Sequence, residues 1–278
     1  MDLEAKLARE ATFWDARQGG DETRDPEHYR VAATDRDDRS VPWLPYLGFP
    51  AQVDCMLANL GDLAGRRVLD LGCGSGFVSC LLAANGALVD AVDISEASLD
   101  VARWRAQISG VADRIAFHRS AAETLPFESG RFDAVCGAFV LHHLDLRLAA
   151  PELSRVMTDG ARGAFIETSG RSGVLMAARR LLTGRFGIEK ASSDDEAPLA
   201  GRADAALRGV FGATVATHQP STLFFRMLSY VAPLHRPAAQ RVLAALDRAM
   251  HRVKPLRAQS YYCVVSMQRR APASLPPV

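Results

Sequence analysis

The stretch RVLDLGCGSGF, residues 67–77, constrains this chain more than any other part of it. A short apolar run carrying Asp70 leads into glycines at 72, 74 and 76, and an apolar segment with helical spacing follows from Phe77. Without a Cβ the backbone can turn sharply and lie close to a ligand. A helix starting near Gly76 would offer its unpaired N–H groups and positive dipole end to anything negative there. This is the strand–turn–helix opening of a doubly wound α/β sheet, in which ligands bind outside the carboxyl ends of the strands where strand order reverses.

The rest of the chain has the matching rhythm. RVLDL, ALVDAVDI, RIAFHRS, FDAVCGAFV and GAFIET are short apolar or β-branched runs between residues 66 and 168, mostly separated by helical stretches. That alternation predicts an α/β fold with a mostly parallel sheet and crossover helices. Ser95 is a candidate N-cap for a helix with Leu99, Ala102 and Ala106 on one side, and Gly110 stands just past its end. A strand is expected at 213–217, a helix at 238–253 with Val242, Leu246, Ala249 and Val253 as its core face, and a last strand at 260–267.

Residues 1–50 read as an N-terminal cap: a helix from Leu3 to Ala16, a loop rich in Asp, Arg and Pro, and the aromatics Trp43, Tyr46 and Phe49. Trp14 and Tyr29 would pack this cap or close it over a ligand. A single domain spans 51–270. An insertion at about 170–210 breaks its rhythm with a basic stretch from Arg171 to Lys190, then Asp194, Asp195 and Glu196. With Val174, Leu175, Ala178 and Leu181 on one face, this segment is equally a lid or a helix packed on the sheet. The tail APASLPPV, 271–278, is expected to fray.

Lys and Arg total 33 against 32 Asp and Glu, so no global field draws the chain to nucleic acid or lipid. A flipped-base motif is absent too, and a small-molecule substrate is the expectation. The five cysteines are scattered and unpaired in sequence, which argues against a disulfide framework or a zinc site and for buried thiols in a reducing compartment. The start, MDLEAKLARE, is not a signal peptide, and the longest apolar runs are far short of the ~20 residues a spanning helix needs. A cytoplasmic location is expected, no metal is required, and oligomeric state is not legible.

Asp93 ends the second strand 23 positions past Asp70. A carboxylate at that tip can accept hydrogen bonds from both hydroxyls of a ribose. A dinucleotide fingerprint would read G-x-G-x-x-G, but its third glycine position is Phe77 here, which speaks against an NAD-dependent oxidoreductase. Asp70, two residues before the first glycine, would repel a pyrophosphate and suits a cationic ammonium.

VLDLGCGSG with Asp93 resembles the signature of class I S-adenosylmethionine-dependent methyltransferases. ETLPF, FDAV and VLHHL resemble that family's third and fourth strand segments, and ELSRVM before TDGARGAFIE its next helix and fifth strand. The resemblance covers residues 55–168 and implies a Rossmann-like sheet of seven strands binding S-adenosylmethionine. Gly72, Cys73 and Gly74 would line the methionyl end. Asp93 would hold the ribose, Ile94 would pack on one adenine face, and Ala122 and Glu123 would edge the ring. Ala121 stands where many relatives have an acid, and Thr158, Asp159 and Gly160 replace the usual proline-glycine-glycine turn before strand five.

An alcohol or phenol acceptor must lose a proton, which favours a base near neutral pKa. His142 and His143 follow the fourth strand and Glu167 ends the fifth, so neighbouring strand tips bring a histidine and an orienting carboxylate together. The same arrangement resembles sugar and natural-product O-methyltransferases. The expected activity is therefore methyl transfer to a hydroxyl of a glycoside, polyketide or other secondary metabolite. C- or N-methylation, or a non-methylating reaction at the same loop, are the alternatives. His28, His218, His235 and His251 read as surface or satisfied side chains.

Overall fold

A computed structural model describes residues 3–18, 24–40, 49–182, 198–199, 201–230, 234 and 236–270. Seven strands form one sheet: β1 (Arg67–Leu71), β2 (Leu88–Asp93), β3 (Ile115–Arg119), β4 (Phe132–Ala138), β5 (Met157–Thr168), β6 (Ala216–His218) and β7 (Tyr262–Gln268). Their spatial order is β3-β2-β1-β4-β5-β7-β6. The first five pair in parallel, and β7 runs antiparallel to both β5 and β6. Strand order reverses between β1 and β4, which fixes the crevice where a ligand would sit.

The helices are α1 (Leu3–Gln18), α2 (Pro26–Tyr29), α3 (Pro50–Leu60), α4 (Phe77–Ala84), α5 (Glu96–Ile108), α6 (Leu146–Val156), α7 (Gly173–Leu182), α8 (Gly201–Phe211), α9 (Pro237–Arg252) and α10 (Lys254–Arg257). Side chains alternate across β1, so Val68 joins a core with Met56 of α3 and Leu81 of α4, while Leu69 joins the opposite core with Leu153 of α6 and Leu207 of α8. Ser95 caps α5 by accepting from the Ser98 N–H, and Gly110 follows its end at φ +71°. Gly76, at φ +82°, starts α4; a Cβ there would lie 2.7 Å from the Ala102 Cβ, so this glycine lets α4 approach α5.

Four expectations change. Strand β4 stops at Ala138 because Phe139 turns left-handed. Thr158, Asp159 and Gly160 fall inside β5 as an excursion from the β4 ladder, held where the Gly160 N–H donates to the Arg269 carbonyl. Residues 212–214 form a 3₁₀ turn, so β6 starts only at Ala216. The largest change is the rotation of α9, where Val242, Leu246, Ala249 and Val253 are exposed and Leu243 and Asp247 are buried. The Asp247 carboxylate accepts the N–H groups of Phe224, Phe225 and Arg226 at 2.8–3.2 Å. Leaving those donors unpaired would cost more than exposing a few methyl groups, so the acid sets which face turns inward.

Leu223 is buried, whereas Leu228 is exposed. Among the described side chains of α7 only Leu175 is buried; Val174 and Leu181 face solvent. Trp43, Tyr46, Arg185, Lys190, Asp194, Asp195, Glu196, His235 and the tail lie outside the described residues, and with them any lid beyond α7.

Candidate active site

A cavity of about 350 Å³ opens at the carboxyl ends of β1, β2 and β4. Its floor is the glycine turn. The Gly74 N–H donates to Asp93 Oδ2 at 2.8 Å and the Ser95 N–H to Oδ1 at 2.9 Å, so Asp93 ties the turn after β1 to the start of α5. Each of its oxygens keeps a further lone pair for a ligand hydroxyl. Burial pushes the Asp93 carboxyl above its usual range against those backbone hydrogen bonds.

Asp70 also lines the cavity but is fully buried, accepting the Ser79 hydroxyl at 2.5 Å. Desolvation first, opposed by the Ser79 bond and reinforced by the charge of Asp93, pushes its carboxyl up to about 7. Cys73 and Cys136 are held protonated by burial, and Cys80 and Cys263 are pushed up to about 12, so these thiols are inert packing groups. Cys55, half-buried, departs from the expectation of uniformly buried thiols.

Ile94, Ala122 and Glu123 line the cavity beside Asp93. Glu123 Oε1 accepts the Asp145 N–H at 3.0 Å, while Oε2 is buried with no hydrogen-bond partner among the described residues. Among the described residues, five carboxylates face the space, from Glu10, Asp38, Asp70, Asp93 and Glu123, and no Lys or Arg does. Such a lining suits a cation and repels a pyrophosphate.

Glu167 is fully buried at the tip of β5, where Oε1 accepts the N–H groups of Val140 (3.0 Å) and Leu141 (2.7 Å). Its Oε2 accepts from His142 Nδ1 at 2.7 Å. The carboxylate thus braces the turn after β4, where Phe139 sits at φ +58° with its ring stacked on Phe49 and tilted against Tyr262. A non-glycine residue held there stores roughly 1–3 kcal/mol and needs such bracing. The two histidine rings lie 4.2 Å apart, but of the pair only His143 lines the cavity.

Contacts with no local sequence signal complete the site. Glu10 of α1 places Oε2 3.6 Å from His143 Nδ1 and accepts from Trp14 Nε1, and Trp14 meets the His143 ring edge-on at 5.5 Å. Leu7, Glu10 and Trp14 therefore wall the cavity from the N-terminal cap. Asp15 accepts from the Ser95 hydroxyl and the Ala97 N–H, docking α1 on the N-terminus of α5. Arg105, fully buried, forms a two-point pair with Asp38, donates to Ser75 of the glycine turn, and stacks over Tyr29. Among the other histidines, His28 pairs with Asp25, His218 with Ser266 and His251 with Thr222. No cluster suited to a metal occurs among the described residues.

A methyltransferase domain family matches residues 69–165, from β1 to β5. Residues 69–165 are thus similar to a methyltransferase domain over the stretch that carries the glycine turn and Asp93. The cavity fits S-adenosylmethionine, the cofactor that the sequence signature implies: its carboxylates suit the sulfonium and ammonium charges, and its spare acceptors suit ribose and adenine.

Among similar proteins, demethylmenaquinone methyltransferase of Clavibacter sepedonicus is 43% identical over 40% of this chain and 44% of its own length. 27-O-demethylrifamycin SV methyltransferase of Amycolatopsis mediterranei is 33% identical over 48% of this chain and 51% of its own. The chain thus matches about half the length of these relatives. Geranyl diphosphate C-methyltransferase of Streptomyces coelicolor A3(2) shares the fold at a TM-score of 0.59 and 18% identity, over 97% of this chain and 100% of that one.

Proposed function

We propose that the chain is an S-adenosylmethionine-dependent methyltransferase acting on a hydroxyl of a small molecule, such as a glycoside, polyketide or other secondary metabolite, with His143 as general base. The observation that carries this reading is a cavity walled, among the described residues, by five carboxylates with no Lys or Arg, and by an imidazole beside an acid.

When bound, the cofactor supplies a methyl group on a cationic sulfur for in-line displacement. Gly72, Cys73 and Gly74 would lie along its methionyl part, with Asp70 receiving the ammonium directly or through water. Asp93 would accept from the ribose hydroxyls, and Ile94 would cover an adenine face. Beside Ala122, Glu123 Oε2 offers the exocyclic amine the acceptor that Ala121 does not.

Phe49, Phe139, Val140, Leu144, Leu7 and Trp14 make the remaining wall apolar, which keeps water out and suits an apolar acceptor. Glu10 beside Nδ1 of His143 favours the tautomer with the proton on Nδ1, in which Nε2 carries the lone pair that takes the hydroxyl proton. The rifamycin relative, whose name denotes a methyl at an oxygen, supports the O-methyl reading. The odd number and scattered spacing of the five cysteines support a reducing, cytoplasmic setting.

A second reading makes His142 the base, favoured by its 2.7 Å contact with buried Glu167. Single variants separate the two. His143→Ala is expected to lower kcat by roughly 10²–10⁴ with cofactor affinity unchanged, the range typical of a lost general base. Turnover surviving in His143→Ala but lost in His142→Ala would move the role to His142. Turnover surviving loss of both imidazoles would point to an acceptor that needs no base.

A further inference from the structure

The exposed face of α9 and α10 has no role in the methyltransferase site. Between Ser221 and Ser260 the sequence holds seven Arg or Lys and one acid, Asp247, which is buried and spent on backbone N–H groups and Arg226. The net charge of the whole chain, +1, conceals this local excess.

Helical geometry sorts these residues. At about 100° per residue, Val242, Leu246, Ala249 and Val253 fall within a stripe roughly 60° wide. Arg241, Arg248 and Arg252 form a row about 100° to one side, and the buried Leu243 and Asp247 lie on the other. Val242 is 60% exposed, Leu246 43% and Val253 48%, and α10 continues the surface with exposed Lys254 and Leu256. An apolar stripe of this size would normally turn inward, but the buried acid prevents it.

We infer that α9 and α10 form a docking surface for an anionic lipid bilayer. A helix lying in the interface buries a narrow apolar stripe while basic side chains beside it reach the headgroups, and this surface has both parts in the right order. α9 spans 16 residues, about 24 Å, enough to lie along a membrane, and no described helix is long and apolar enough to cross one. A second copy of the chain would set Arg rows against a face that carries no exposed acid. An acidic peptide would meet the Arg row and leave the stripe wet. An anionic bilayer satisfies both.

The test is co-sedimentation of the full chain with vesicles of phosphatidylcholine alone or with about a third phosphatidylglycerol, where each basic contact is worth about fivefold in partitioning. The wild-type protein is expected to pellet with the anionic vesicles, to stay in solution with the neutral ones, and to be released by about 0.5 M salt, where screening is strong. Arg241→Gln/Arg248→Gln/Arg252→Gln should weaken partitioning roughly a hundredfold. Val242→Gln/Leu246→Gln should weaken it at least about tenfold, because the buried stripe is lost. Both variants alter exposed side chains, so far-ultraviolet circular dichroism should match the wild type. No pelleting, equal pelleting on neutral vesicles, or a wild-type dimer that the apolar pair of changes makes monomeric would each overturn the assignment. Cofactor affinity measured on the same samples reports separately on the methyltransferase reading, which can fail without affecting this one.

Discussion

Asp70 gives a quantitative test of whether the cavity was built for a cation. In the ligand-free protein its carboxyl is pushed up to about 7 because burial outweighs the Ser79 hydrogen bond. A cationic ligand held there requires the ionised form, so binding releases a proton wherever Asp70 starts out protonated. For a single group the apparent Kd scales as 1 + 10^(pKa − pH), a factor of about 30 near pH 5.5 and about 2 near pH 7. Cofactor affinity should therefore rise roughly fifteenfold over that interval. Titration calorimetry in two buffers of different ionisation enthalpy measures both the affinity and the protons released. Asp70→Asn keeps a partner for Ser79 but cannot ionise, so its pH dependence should be much flatter. Equal slopes in the two proteins would refute the idea that this carboxylate faces the cofactor's charge.

The same group makes a stability statement with a definite sign. Its folded pKa lies above the unfolded value of 3.8, so between about pH 4 and 7 the folded state holds a proton that the unfolded state has lost. The stabilisation is complete at low pH and disappears as pH rises through 7, by about 4 kcal/mol in all. The Tm of the ligand-free wild type should fall more steeply between about pH 4 and 7 than that of Asp70→Asn, since only the wild type carries this linkage.

Asp93→Ala removes the acceptor of the Gly74 and Ser95 N–H groups along with the ribose contact, and calorimetry should show cofactor affinity reduced by at least about a hundredfold. Arg105→Met leaves Asp38 buried without its partner and should cost about 3–5 kcal/mol in urea unfolding. Glu10→Gln removes the carboxylate that orients His143 and should lower kcat by roughly tenfold with cofactor affinity unchanged, as steady-state kinetics and calorimetry would show. Glu10→Asp should restore part of that loss, and an unchanged kcat would reduce Glu10 to a packing residue.

The sheet and the cofactor turn were legible because their signals are local. Glycines at 72, 74 and 76 declare a turn within five residues, and Asp93 follows at the tip of the next strand. Glu167 was legible at one remove, since parallel neighbours β4 and β5 put their carboxyl tips side by side. Which histidine faces the cavity was not, because adjacent residues on a turn diverge according to backbone dihedrals, and here the left-handed Phe139 decides. Glu10, Asp15 and Asp38 were invisible for a different reason. Each acts across 67 or more residues of sequence, onto His143, Ser95 or Arg105, and neither the surface of α1 nor the loop that holds Asp38 shows a pattern that marks such a partner.

The rotation of α9 shows how apolar spacing alone can mislead. Two stripes compete on that helix, one of Val242, Leu246 and Val253 and one containing Leu243, and the apolar count favours the first. One carboxylate reverses the outcome, because it accepts from three backbone donors at Phe224–Arg226 and reaches them from the buried side. Replacing it with Leu would make the buried face more apolar and yet is expected to destabilise the protein by several kcal/mol, at about 1–3 kcal/mol for each donor left buried and unpaired. Urea unfolding of Asp247→Leu measures this directly. A stability equal to the wild type would mean that packing of Leu243, and not the acid, orients the helix and exposes its apolar stripe.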